Sequence, residues 1–134
     1  MSQQGNVDTI RDFTDLRVWQ LGMSLASRIY KMTRLFPREE QFGLTSQLRR
    51  CAVSVPSNIA EGHSRNQHGE FLRFLLIARG SLGEMKTQVL LAAGEGYIRD
   101  TESQDAIRDI DSLMKQVSSL HSALLRRKAN ETSA

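Results

Sequence analysis

The sequence contains one cysteine, Cys51, so an internal disulfide framework is excluded and the fold must rest on packing. It has two prolines, Pro37 and Pro56, and nine glycines gathered at a few places. So few breakers exclude a many-turned β fold and favour long helices. Aromatic residues make up 6% of the chain. They do not interleave with the basic residues as stacking platforms for single strands would. No apolar run approaches the ~20 residues that span a bilayer. The opening MSQQGNVDTIRDF has no basic segment followed by an apolar one, so no signal peptide is expected. The cytoplasm is therefore the expected location. A large charge excess is also lacking: 18 Lys and Arg stand against 15 Asp and Glu, for a net +3. That balance permits a polyanionic partner without demanding one.

What is present suits one soluble domain. The 134 residues are enough for one core, with 40% hydrophobic and 25% charged residues. Residues 1–12 are polar and are expected to form a flexible N-terminus. Residues 13–128 carry four stretches of helical period, and 129–134 are expected to be a frayed tail. The first helix is expected to start near Thr14 as N-cap, with Asp15 favouring the dipole. Leu16, Trp19, Met23, Ala26 and Tyr30 form its apparent stripe. Phe36-Pro37 ends it, because the residue before proline is pushed out of the α region.

The second helix is predicted from about Leu44 to about Arg65, with a core stripe of Leu44, Leu48, Cys51, Ala52, Val55, Ile59 and Gly62. The third runs from about Glu70 to Glu95, on Phe71, Leu75, Ala78, Leu82, Met85, Val89 and Ala93. The fourth runs from about Glu102 to about Arg127, on Ile107, Ile110, Met114, Val117, His121 and Leu124. Acids crowd its start and bases its end, complementing the macrodipole. Helices of this length joined by short connections predict an all-α, antiparallel, up-down-up-down four-helix bundle.

The second helix carries more than a core stripe. On its far side Arg50, Ser54, Ser57, Glu61 and Arg65 form a polar line. Beside it Ser46, Val53 and Ala60 would let another helix approach closely. Pro56 costs roughly 3 kcal/mol in a helix interior. It predicts either a kink that wraps the bundle or a bend that exposes Arg49 and Arg50. The third helix has apolar residues outside its stripe, Leu72, Leu76, Ile77, Leu90 and Leu91, and mid-helix glycines at Gly80 and Gly83. A helix apolar on two sides is buried on two sides, which predicts a homo-oligomer.

Charge is uneven. Residues 1–66 carry nine Lys and Arg against six Asp and Glu, whereas 67–134 carry nine of each. The excess lies between Arg28 and Arg50. Either a solvated basic face or a polyanion contact follows. For the contact, the residues are Arg28, Lys31, Arg34, Arg49, Arg50 and Arg65, because the guanidinium fork binds phosphate bidentately.

Other chemistry finds little support. No Glu-x-x-His pair occurs, so a bundle-type dimetal site is not expected. His63 and His68 are read as loop residues and His121 as a core residue. Cys51 adjoins two arginines, which can lower a thiol pKa, but its place on the core stripe predicts an inert buried thiol. Glu61 and Glu84 could pair as carboxylates only if the fold brings them together, and salt bridges to arginine are the alternative. There is no Walker A motif and no G-x-S-x-G. No catalytic residue, metal or cofactor is expected.

Several motifs resemble one family. They are Phe13-Thr14-Asp15-Leu16-Arg17-Val18-Trp19-Gln20, Phe36-Pro37 with Glu40, and Phe42-Gly43-Leu44-Thr45-Ser46-Gln47. Arg49-Arg50-Cys51-Ala52, Ser54, Pro56 and Asn58-Ile59-Ala60-Glu61-Gly62 follow. Glu70-Phe71, Phe74-Leu75, Ala78-Arg79-Gly80-Ser81, Glu84 and Gly96-Tyr97 complete the set. Over about residues 12–125 the chain resembles the four-helix bundle proteins encoded in intervening sequences of bacterial large-subunit ribosomal RNA genes. More distantly it is similar to the accessory variability protein of diversity-generating retroelements. The resemblance implies a ring-like homopentamer with a central channel. In the retroelement branch it implies a basic surface that binds nucleic acid and a reverse transcriptase. This chain looks closer to the first branch, from which it departs at Cys51 and at Gly94-Glu95-Gly96.

The expectation is a non-enzymatic, oligomeric bundle that binds RNA or DNA through a basic surface. The alternative is a protein-interaction scaffold or adaptor, for example for a reverse transcriptase, without nucleic-acid contact.

Overall fold

The computed structural model describes residues 10–133. Among these are four α-helices, two short 3₁₀ turns and no strand. The helices are α1 (Arg17–Thr33), α2 (Leu44–Ser64), α3 (His68–Gly94) and α4 (Asp100–Ser133). Most of the N-terminal segment 1–12 lies outside the described residues, as does Ala134. α4 continues past the end expected near Arg127. No described helix is long and apolar enough to cross a membrane.

Each helix packs on the next, and α1 also packs on α4. The stripe read for α2 is buried at every position, Leu44 through Gly62. On α3 the stripe holds from Phe71 to Val89, then shifts so that Ala92 rather than Ala93 is buried. Leu48, Ile59, Leu75 and Leu82 are fully buried, each contributing on the order of 2 kcal/mol.

The face of α1 differs from the expected one. Val18, Gly22, Leu25, Ile29 and Met32 are buried, while Met23 and Tyr30 are exposed and Trp19 is half-buried. The true stripe is displaced by one residue, about 100° around the helix. Gly22 is the reason. A Cβ there would lie 3.4 Å from Val55 Cγ1 and 3.5 Å from Pro56 Cβ, so the glycine marks a helix contact. The aromatic side is used differently: Trp19 packs edge-on to Phe13, with ring centroids 5.5 Å apart. Asp12, not Thr14, caps the 3₁₀ turn Phe13–Asp15, its carboxylate accepting from Phe13 N at 2.8 Å. On α4 the buried positions are Ser103, Ala106, Ile110, Leu113, Val117 and Leu124, with Ile107, Met114 and His121 at the edge.

α2 continues through Pro56, which is buried against α1. Polar side chains bond the backbone around it. Ser54 Oγ donates to Cys51 O at 2.7 Å, and Asn58 Nδ2 donates to Ser54 O at 2.7 Å. Gly62 allows a close approach of α2 and α3, since a Cβ there would stand 2.5 Å from Phe74 Cβ. At the end of α3, Gly96 takes φ +78°. Tyr97 N donates to Ala92 O and Gly96 N to Ala93 O, a Schellman stop that needs the left-handed residue.

That stop delivers Tyr97 to the start of α2. Its hydroxyl donates to Glu40 Oε2 at 2.9 Å, while Leu44 N donates to Glu40 Oε1 at 2.9 Å. The Leu44 amide first, and then the Tyr97 hydroxyl, hold the Glu40 carboxyl below the ordinary carboxylate range. The carboxylate stabilises the fold above its unfolded pKa of about 4.3, and the contribution is lost as pH falls through the lower folded value. Thermal melts from about pH 6 to about pH 3 are expected to show an acid-side fall that is shallower in Glu40→Gln. Equal pH slopes in the two proteins would contradict this.

Candidate nucleic-acid interface

The basic residues are positioned by a single anchor. Arg49 Nε donates to Thr33 Oγ1 at 2.8 Å, and its guanidinium lies 4.8 Å from the Tyr30 ring centroid. Thr33 Oγ1 in turn donates to Ile29 O at 2.8 Å. These contacts clamp the last turn of α1 to the second turn of α2. They join the end of α1, next to which Lys31 and Arg34 lie in the chain, to the turn of α2 that carries Arg49 and Arg50. Between Tyr30 and Arg50 there are five cations, including Arg38, against Glu39 and Glu40. The excess equals the whole chain's net charge of +3. Lys31, Arg34, Arg38 and Arg50 make no ion pair among the described residues.

The other two expected contacts lie apart. Arg28 faces α4, with its Nη2 2.9 Å from Asp109 Oδ2. Arg65 follows the end of α2, about 24 Å along the axis from Arg49. It sits between Glu61 at 2.9 Å and Glu70 at 3.1 Å. Neither pair is buried, so each adds little stability, but each cancels local charge. The six residues therefore divide into four carried near the α1–α2 connection and two ion-paired outliers.

Adjacent arginines also part company. Arg49 turns to α1, whereas Arg50 lines an open groove of about 580 Å³ between α2 and α3. Phe42, Ser46, Gln47, Ser54, Ser81, Glu84 and Gln88 share that groove with Arg50 and Cys51. Sequence reading missed it because its walls lie some thirty or forty residues apart in the chain.

Cys51 is buried at its floor, and its thiol donates to Ser81 O at 2.9 Å. Burial first, and then the nearby Glu84 carboxylate, push the thiol up to about 12. The adjacent arginines do not activate it. Alkylation at about pH 8 is expected to be at least ~100-fold slower in the native protein than in denaturant. Native labelling at the rate of an unfolded thiol would contradict this.

The remaining candidates are also placed. Glu61 pairs with Arg65, whereas Glu84 lies level with Cys51, ten residues earlier on α2, so the two carboxylates do not meet. His63 and His68 belong to helix ends rather than to a loop. They line a pocket of about 250 Å³ with Phe71 and Leu124. Among the described residues, no group of three or more His, Cys, Asp or Glu could hold a metal ion.

These features define an all-α four-helix protein whose net positive charge is carried between Tyr30 and Arg50. The chain belongs to the 23S rRNA-intervening sequence protein family, whose pattern matches residues 14–119. No curated protein matches the sequence. Among solved structures it is similar to a protein of unknown function from the S23 ribosomal protein family of Bacteroides thetaiotaomicron. The two are 21% identical, with a TM-score of 0.74 over 90% of this chain and 99% of the other. At that identity the likeness concerns the fold.

Proposed function

We propose that this is a non-enzymatic, cytoplasmic bundle protein that binds RNA or DNA through the α1–α2 corner. The supporting observation is the clamp at Arg49, which ties the end of α1 carrying Lys31 and Arg34 to the turn of α2 carrying Arg50, none of these three in an ion pair among the described residues. Arg49 itself is half-buried and positions the corner. The contact is to phosphates, so affinity falls steeply with salt and carries little sequence readout. Titration against a structured RNA at several salt concentrations tests this. Tight binding at low salt with a negative log–log slope supports it, and no binding at low salt overturns it.

The helices are proposed to run up-down-up-down. Lys86 pairs with Asp111 and Arg79 with Ser118, while Gly62 meets Phe74 and Cys51 meets Ser81. In each pair of helices one set of numbers rises as the other falls. The bundle is further proposed to assemble into the ring-like homopentamer that the family resemblance implies. Leu76, Ile77, Leu90 and Leu91 are 40–54% exposed on α3. A Cβ on Gly80 or Gly83 would meet nothing within 4 Å in the protomer. Those glycines are unexplained within one chain, and a second copy against α3 explains them. A ring would multiply the corner's charge by the number of subunits. Sedimentation of wild type and Gly80→Leu tests the assembly: an oligomer weakened by the leucine supports it, and a wild-type monomer overturns it. The same α3 face also favours the second reading, in which an adaptor docks a partner protein there.

A further inference from the structure

We propose that the α2–α3 groove is a base pocket for single-stranded nucleic acid, with guanine the preferred base. The inference rests on the nucleic-acid reading above and assigns it a second, base-specific element. The groove's volume of about 580 Å³ lies within the ~300–1,000 Å³ typical of small-ligand sites.

Three features of the groove fit an unstacked nucleotide. Phe42 is 89% exposed at its rim, the most exposed large apolar residue among those described. It offers a free ring face on which a base can stack. Arg50 stands at the same groove, one residue from the Arg49 clamp, and has only a long 3.4 Å contact to Ser46 Oγ. It can take the phosphate of the strand that the corner holds. Beside these donors, two acceptors on α3 lack a strong partner, Gln88 Oε1 and the exposed Glu84 carboxylate. Gln88 Oε1 is buried without a hydrogen-bond partner. The Glu84 carboxylate makes one 3.8 Å contact, to the Cys51 thiol.

The floor needs nothing more. With its proton on Cys51 O, Ser54 Oγ accepts from Ser81 Oγ at 2.7 Å, and Cys51 donates to Ser81 O. A ligand that satisfies the Gln88 and Glu84 acceptors brings donors, and a planar one can stack on Phe42. Guanine presents N1–H and N2–H₂ side by side, which a carboxylate accepts together, leaving Gln88 Oε1 for a further donor. Uracil presents one N–H between two carbonyl oxygens, which Glu84 would repel. An acidic peptide would set its carboxylates against Glu84.

The test uses the full chain and two labelled oligoribonucleotides. One is a uridine run of about nine nucleotides, within the span of known single-strand sites. The other is the same run with a central guanosine. The guanosine oligomer is expected to bind at least about fivefold tighter, the lower end of base discrimination by a bidentate contact. Glu84→Gln is expected to erase that ratio. Phe42→Ala is expected to weaken both oligomers by at least about fivefold, with melting and sedimentation unchanged. Equal binding of the two oligomers overturns the pocket, as does a ratio that survives Glu84→Gln. A Phe42→Ala protein that changes assembly rather than affinity overturns it too, and makes Phe42 a protein contact. If structured RNA binds with a salt slope while neither oligomer binds, the pocket fails and the electrostatic reading stands. If no RNA binds at low salt, the electrostatic reading has itself failed.

Discussion

Gly62→Val is expected to be among the most destabilising single substitutions in this protein. A Cβ at Gly62 would stand 2.5 Å from Phe74 Cβ and 3.3 Å from its Cγ. Phe74 Cβ moves only with the backbone of α3, so no rotamer change relieves the contact. The two helices must separate, which loosens the Ile59 and Leu75 layer beside it. Overpacking of this kind costs about 1–3 kcal/mol for a methyl or two, and valine adds three carbons. A melting temperature lower by on the order of 10 °C is expected for a chain of this size. Gly80→Ala is the contrasting substitution, because nothing lies within 4 Å of its new Cβ. In the isolated protomer it is expected to gain about 1 kcal/mol from helix propensity. A Gly62→Val protein that melts with wild type would mean that α2 and α3 do not approach as described.

The second large effect concerns the basic corner. Replacing Lys31, Arg34 and Arg50 together by glutamine is expected to lower RNA affinity by on the order of 100-fold at moderate salt. Replacing Arg28 and Arg65 by glutamine is expected to change affinity by less than about threefold, because Asp109, Glu61 and Glu70 already oppose them. The comparison is informative because the smaller loss is predicted for residues that a charge count treats as equivalent. Gel-shift titration of both variants against one structured RNA reads the difference. Equal losses would show that position within the bundle does not matter.

The run from Phe42 to Gly62 reads directly onto α2, since its stripe has large residues on one side only and Gly62 at its end. The same logic misreads α1, where aromatic residues at Trp19 and Tyr30 outweigh the small Gly22 that makes the real contact. Periodicity scores size and hydrophobicity, and a glycine chosen for closeness is invisible to it. The basic candidates were legible as residues but not as a group. Arg28 and Arg65 meet carboxylates on other elements, Asp109 of α4 and Glu70 of α3, and those encounters depend on tertiary packing. Arg49 and Arg50 are neighbours in the chain, yet 100° of helix rotation sends them to different grooves. The thiol of Cys51 shows the same limit. Its arginine neighbours in sequence do not lower its pKa; burial raises it first, and then the Glu84 carboxylate of α3.

The account rests most heavily on phosphate contact at the corner, and the salt dependence of binding tests it directly. Association constants of wild type and the Lys31, Arg34 and Arg50 glutamine variant are measured for the same structured RNA over a range of salt. A linear fall of log affinity with log salt is predicted for wild type. The variant's slope should be shallower by at least about 0.9, the value of one lost duplex phosphate contact. Parallel lines for the two proteins, or a wild-type affinity indifferent to salt, would contradict the account.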